Sequence, residues 1–259
     1  MGAATDRGHR RIARTGTIVG SKRALGALWA VLAIALAACG DAPPIEPVGH
    51  DPLSLRYTCG TFPFGPELLA AGPGRDELAN TGPAAALRRY LASPARVQHR
   101  VPEHGWRLFG SDAERAEFGS SVLGGMWIVV VRMSSTGWVA SAPDTCQPHL
   151  VLPAGLGQAS WTIDPAQPRP APMTQVFDAL VTERACANGE RADARVVGPQ
   201  VVRSTDVVLV IFAVRPRGEG ARCPASPATR VTVDLGETLG SRVLLDGGRL
   251  PFGDPSAPV

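Results

Sequence analysis

"DVVLVIFAVRP", residues 206–216, holds an unbroken apolar run from Val207 to Val214, rich in β-branched residues. A half-buried strand alternates apolar and polar residues. One that is apolar at every position has both faces covered. A flat apolar strand at a sheet edge would also template aggregation. The run therefore reads as the central strand of a sheet, buried on both sides.

Working outward, "TRVTVDLG" (229–236) alternates cleanly. Val231, Val233 and Leu235 face one way, and Arg230, Thr232 and Asp234 the other. "SRVLLDGG" (241–248) supplies a further strand. "ADARVV" and "QVVRS", split by Gly198-Pro199, precede the central run. "TQVFDALVTERA" (174–185) fits a helix face through Val176, Phe177, Leu180 and Val181, but its β surroundings favour a strand. Short strands divided by turn signals at this spacing suggest a small, mainly antiparallel sandwich over residues 174–259.

Before it lies "DPAQPRPAPM" (164–173), four prolines in ten residues. Such a segment is stiff and extended, and it is the expected boundary between two lobes, with a long surface crossover within one domain as the alternative. The first lobe, 55–163, reads as α+β. "GPAAALRRYLAS" (82–93) predicts a helix that buries Ala85, Leu87, Tyr90 and Leu91 and exposes Arg88 and Arg89. "SDAERAEFG" (111–119) predicts a second helix, with Ser111 as its cap and acids in its first turn. "MWIVVVRM" (126–133) predicts a buried strand, "TGWVASAP" (136–143) its hairpin partner, and "SWTID" (160–164) another strand. The expected fold class is thus α+β, an α+β lobe followed by a β-rich lobe.

The N-terminal region has a different character. Residues 1–23 carry six basic residues against Asp6, and residues 24–38 carry no charge. The apolar stretch is shorter than the roughly 20 residues a spanning helix needs. A basic segment, a short apolar segment and small residues at a cut site describe a secretory signal. Leu36-Ala37-Ala38-Cys39 resembles the bacterial lipobox, which implies lipidation of Cys39 and removal of residues 1–38. Two acyl chains on one cysteine give stable membrane attachment where one is marginal. The partner implied is membrane lipid, held at the extracytoplasmic face. "GDAPPIEPVGHDPLS" then reads as a flexible tether over 39–54.

Without the leader, the 26 basic and 23 acidic residues become a slightly acidic set. That gives no basic stripe for nucleic acid. The only lysine, Lys22, is in the leader, so an SxxK nucleophile is excluded after it. Four cysteines follow the lipid site: Cys59, Cys146, Cys186 and Cys223. An even number outside the cytoplasm suggests two disulfides, with three pairings open. Cys59–Cys146 with Cys186–Cys223 keeps each pair within one half and is preferred. None of the four has CxxC spacing, so a metal site is not expected, and no cofactor motif stands out.

Other catalytic patterns are thin. "FGSSVLG" (118–124) lacks GxSxG spacing, and "GLGQAS" (155–160) lacks the third glycine of a dinucleotide loop. His50, His99, His104 and His149 form no HExxH pair. Cys146-Gln-Pro-His149 sets a thiol near an imidazole, but a disulfide for Cys146 and a surface position for His149 are preferred. Asp178 and Glu183 are expected at solvated strand positions. Trp106 and Trp138 sit beside turns and are the candidate binding aromatics; Trp127 reads as core.

"LAAC" (36–39), "HGWR" (104–107), "LVTERACANG" (180–189), "VVLVIFAVRP" and "CPASPATRVTVDLGETLGSRVLLDGG" (223–248) together resemble a loosely defined group of uncharacterised actinobacterial lipoproteins. The resemblance covers most of residues 55–248. It implies an exported two-lobe protein and brings no catalytic residues. The expected function is a non-catalytic binding module of the cell envelope, taking a protein or cell-wall ligand. The alternative is an envelope hydrolase with a noncontiguous site.

Overall fold

The computed structural model describes residues 52–256, apart from 71, 73, 81, 124 and 219–221. Cys39, the leader and nearly all of the 39–54 tether lie outside the described residues. The described residues form one compact unit. It is built of two main, mostly antiparallel sheets, a short ladder of β1 (Tyr57–Thr58) with β7 (His149–Leu150), and a few short helices, of which α1 (Glu67–Ala70) is the first α-helix.

The first sheet holds β2 (Arg107–Ser111), β3 (Arg115–Val122), β4 (Gly125–Ser134) and β5 (Gly137–Ala140), in that order. β6 (Asp144–Cys146) also pairs with β4. The hairpin expected at 126–143 is present, with Ser134 opposite Gly137. A helix covers this sheet: α2 (Gly82–Leu91) buries Ala84, Ala86, Leu87 and Leu91. These residues pack with Trp106, Phe118, Val129 and Val131. Arg88 and Arg89 are exposed, as their place on the helix predicts, while Ala85 and Tyr90 are only half-buried. Ser93-Pro94 ends α2 and opens α3 (Pro94–His99), where the proline occupies a first-turn position that needs no amide donor.

The helix expected at 111–119 is instead the turn of the β2–β3 hairpin and the first half of β3. Asp112 explains the misreading. Its carboxylate accepts the amides of Glu114 (2.8 Å) and Arg115 (2.7 Å), so the Ser-Asp pair closes a turn rather than capping a helix. Ala116 and Phe118 then point, at strand spacing, into the core under α2.

The second sheet runs β10 (Val196–Arg203), β11 (Val207–Val214), β8 (Gly157–Ile163), β9 (Val176–Glu183) and β12 (Thr229–Asp234). β11 is the expected central strand. β10 lies antiparallel on one edge. On the other edge β13 (Val243–Asp246) runs parallel beside Val207–Val210, and β8 meets Ala213 and Val214. β10 continues through Gly198-Pro199 with a shift in register. The segment 174–185 is a strand with strict alternation of burial.

The continuous apolar run has a direct cause. Val208, Val210, Phe212 and Val214 enter a core with Trp161, Phe177, Val181 and Val233. Leu209 and Ile211 enter a different core with Tyr57, Met126, Ile128 and Leu250. In the first, the sheet curls over itself, and the Trp161 indole N–H donates to the Val210 carbonyl at 2.9 Å. In the second, it packs against the first sheet. At about 1.5–3 kcal/mol for each large apolar side chain buried, this strand contributes to two cores at once.

The two sheets do not divide at the proline-rich segment. β8, expected in the first lobe, pairs along Ala159–Ile163 with β9 of the second sheet. Residues 164–173 are an excursion between two neighbouring antiparallel strands. They are pinned where the Asp164 amide donates to the Asp178 carbonyl. A stiff proline run signals an extended path; it does not say whether its ends return to the same sheet.

Candidate functional site

Both preferred disulfides are present, Cys59–Cys146 and Cys186–Cys223. The first ties the edge of the short ladder of β1 (Tyr57–Thr58) and β7 (His149–Leu150) to β6. The second ties the segment after β9 to the loop before β12. Each bridge restricts the unfolded chain, over 87 and 37 residues respectively.

The two tryptophans singled out from the sequence differ. Trp106 is 0% exposed, and its indole N–H donates to the Pro102 carbonyl at 3.0 Å. It is core beneath α2 and offers no face to a ligand. The turn beside it, with Gly105 at φ 91°, places the residue inward. Trp138 is half-buried. It lines a shallow depression with Arg89 and Tyr90, and Arg89 donates to its carbonyl.

Of "FGSSVLG", residues 118–122 form the end of β3. Ser120 and Ser121 line a cavity of about 310 Å³ together with His104, Gly105 and Arg107. Behind His104 lies Glu77, a buried carboxylate that accepts the amides of Gly105 and Trp106, each at 3.3 Å. The imidazole lies 3.8 Å from Glu77 through Nδ1 and 3.8 Å from Glu103 through Nε2. Both ring nitrogens thus face carboxylates, and among the described residues no hydrogen bond joins His104 to either serine. A serine nucleophile needs a base within about 2.6–3.2 Å of its hydroxyl in the reacting complex.

A second cavity, of about 290 Å³, is lined by Gln147, His149, Gln158 and Arg184. Its walls come from distant parts of the chain. Gln147 follows Cys146, Arg184 precedes Cys186 by two positions, and both cysteines are bridged. Gln158 lies on β8; its side-chain amide donates to the Leu150 carbonyl at 2.5 Å, while its own carbonyl accepts the Arg184 amide at 3.1 Å. Arg184 is exposed, and among the described residues its side chain makes one hydrogen bond, a long one of 3.4 Å to Gln147 Oε1. Among the described residues it has no ion-pair partner. His149 is half-buried, and burial together with the Arg184 charge lowers its pKa. Its ring is therefore neutral at pH 7.

Asp246, at the end of β13, lies within the field of Arg184. It is 3% exposed and has no ion pair among the described residues. Burial pushes its pKa up to about 6. The Gly248 amide, at 2.9 Å, and the fields of Arg249 and Arg184 pull the other way. Tyr57 is buried nearby, and its hydroxyl donates to the Gly247 carbonyl at 2.7 Å. Desolvation, aided by Asp246, raises the Tyr57 pKa.

Glu183, expected at a solvated position, is buried against Arg195, with Nη2 2.6 Å from Oε2. Asp178 is half-buried and accepts the Thr232 hydroxyl at 2.8 Å. Arg184, Gln147 and Gln158 were not legible as a site. Their adjacency depends on which strands pair, and the only local sign was their position beside cysteines and in Cys146-Gln-Pro-His149.

The fold is of the expected α+β class, mostly antiparallel sheets stapled by two disulfides, with an α-helix laid on the first sheet and a β-rich C-terminal part. Comparison with protein-family models, curated proteins and solved structures finds no match to the chain.

Proposed function

We propose that the chain is a lipid-anchored, extracytoplasmic protein of the cell envelope whose folded body binds a ligand or partner. The observation that carries this reading is the pair of disulfides in the body, joined in one sequence to the signal-like leader and the lipobox at Cys39. Such bridges persist in oxidising compartments and are rare in the cytosol. Among the described residues no helix is long and apolar enough to cross a membrane, and the anchor proposed is the diacylglyceryl group on Cys39. The test is fractionation of cells producing the chain with Cys39→Ser. The variant should leave the membrane fraction while its four other cysteines resist alkylation until reduced. Retention of the variant in the membrane, or free thiols in the native chain, overturns the reading.

A second reading, hydrolysis of an envelope substrate, is favoured by the cavity that brings His104, Ser120 and Ser121 together before the buried Glu77. The contacts of both imidazole nitrogens with carboxylates favour binding over this chemistry. Turnover of a simple ester by the purified chain, abolished by both Ser121→Ala and His104→Gln, would reverse the order.

A further inference from the structure

We propose that the cavity formed by Gln147, His149, Gln158 and Arg184 is an oxyanion site, built to take a carboxylate or phosphate group of the bound ligand. The inference deepens the binding reading above and rests on it.

Charge comes first. Arg184 carries a guanidinium at the cavity wall, with a single long hydrogen bond and no ion-pair partner among the described residues. A guanidinium presents a planar fork of donors that matches two oxygens of a carboxylate or phosphate. Asp246, buried and not among the lining residues, feels the fields of both Arg249 and Arg184. Among the residues lining the cavity Arg184 is the one arginine, and no carboxylate lines it.

Hydrogen-bonding capacity comes next. The Gln147 oxygen is turned toward Arg184, which leaves its amide N–H groups as donors. The Gln158 N–H is engaged by Leu150, which fixes that side chain as part of the wall. His149 adds a ring nitrogen that becomes a second cationic donor when an anion arrives beside it.

Rigidity completes the case. A site must hold its groups within fractions of an ångström to bind selectively. Here the walls are stapled beside Cys146 and Cys186, and the Arg184 amide is bonded to Gln158. The cavity of about 290 Å³ is the size of a small ligand group rather than a whole large ligand.

The experiment is an NMR titration of the purified full chain in detergent micelles at pH 7 and fixed ionic strength, following the His149 ring protons. Sodium acetate and inorganic phosphate are the two probes. A saturable shift with acetate assigns a carboxylate, and one with phosphate alone assigns a phosphoryl group. Arg184→Gln should weaken whichever binding is seen by about tenfold or more, the effect of losing a charge-assisted hydrogen bond. Arg132→Gln, on the exposed part of β4, should leave it unchanged. No saturable shift with either anion, or equal affinity in Arg184→Gln, overturns the proposal. The titration does not depend on where the chain resides, so it fails separately from the Cys39→Ser fractionation.

Discussion

Each sheet buries one glutamate, and the two differ in how far their oxygens are satisfied. In the first sheet Glu117 on β3 accepts the Thr61 amide at 2.9 Å and the Phe62 amide at 3.3 Å. It also meets Arg115 through Nη2 at 2.6 Å and Nε at 2.8 Å. In the second sheet Glu183 on β9 has an ion-pair contact with Arg195 at 2.6 Å, and neither of its carboxylate oxygens has a well-formed hydrogen bond among the described residues. Arg195 responds with a raised pKa, chiefly through its bond to Glu183. A buried carboxylate is costly unless each oxygen finds a donor. Glu117 shares that need among three donors, two of them backbone and beyond the reach of side-chain mutation. Glu183 concentrates it on one side chain.

The largest effect expected is therefore from Arg195→Ala. It strands a buried charge and should destabilise the protein by about 3–5 kcal/mol in urea unfolding. Arg115→Ala removes one donor of three and should cost less, about 1–3 kcal/mol. Equal losses for the two variants would break the comparison, because they would show that the backbone donors to Glu117 do not substitute for arginine.

Asp246 sharpens the contrast from the other side, as a buried carboxylate with no ion pair among the described residues. Its folded pKa, about 6, lies above the ordinary 3.8. The native state therefore holds a proton that the unfolded chain has released between these values. Stability from this group is present below about pH 4 and falls as pH rises to about 6. Asp246→Asn should raise stability by about 1–3 kcal/mol at pH 7 and make no difference below pH 4. Thermal melts of both proteins across pH 3–8 read this directly. A variant less stable than wild type at pH 7 would show that the fields of Arg249 and Arg184 outweigh burial.

The smallest effect is expected at Trp138, with the buried Trp106, whose loss should match that of Arg195→Ala, as its reference. Trp138→Ala, at a half-buried edge, should cost about 1–2 kcal/mol, against about 3–5 kcal/mol for Trp106→Ala in the core beneath α2. Denaturant midpoints compare them. Similar losses would mean that Trp138 carries as much packing as a core residue.

How far the sequence could be read follows from the range of the interactions involved. β11 was legible because its two covered faces leave a local mark, eight apolar residues in succession. β12 was legible through alternation, and β9 only through its β surroundings, because Val176, Phe177, Leu180 and Val181 fit a helix face as well. The stretch 111–119 misled because Ser, Asp and Glu serve helix caps and hairpin turns alike, and only the return of β3 against β2 decides between them. The membership of β8 was not legible at all: Ala159–Ile163 pair with residues 179–183, and nothing local announces that partner. The same holds for the oxyanion cavity. Gln147, Gln158 and Arg184 are unremarkable apart and meet only once β7, β8 and β9 are in place. The cysteine pairing was reachable because each bridge stays within its own half of the chain.

The position of β13 has a consequence for how the molecule comes into being. Val243–Asp246 fill the place beside Val207–Val210, and Leu250 closes the core on the face of Leu209 and Ile211. A nascent chain released as far as residue 240 would present that half of its stickiest strand with one side open. Folding of this half must then await the arrival of the last dozen or so described residues, and any earlier halt leaves a self-associating intermediate.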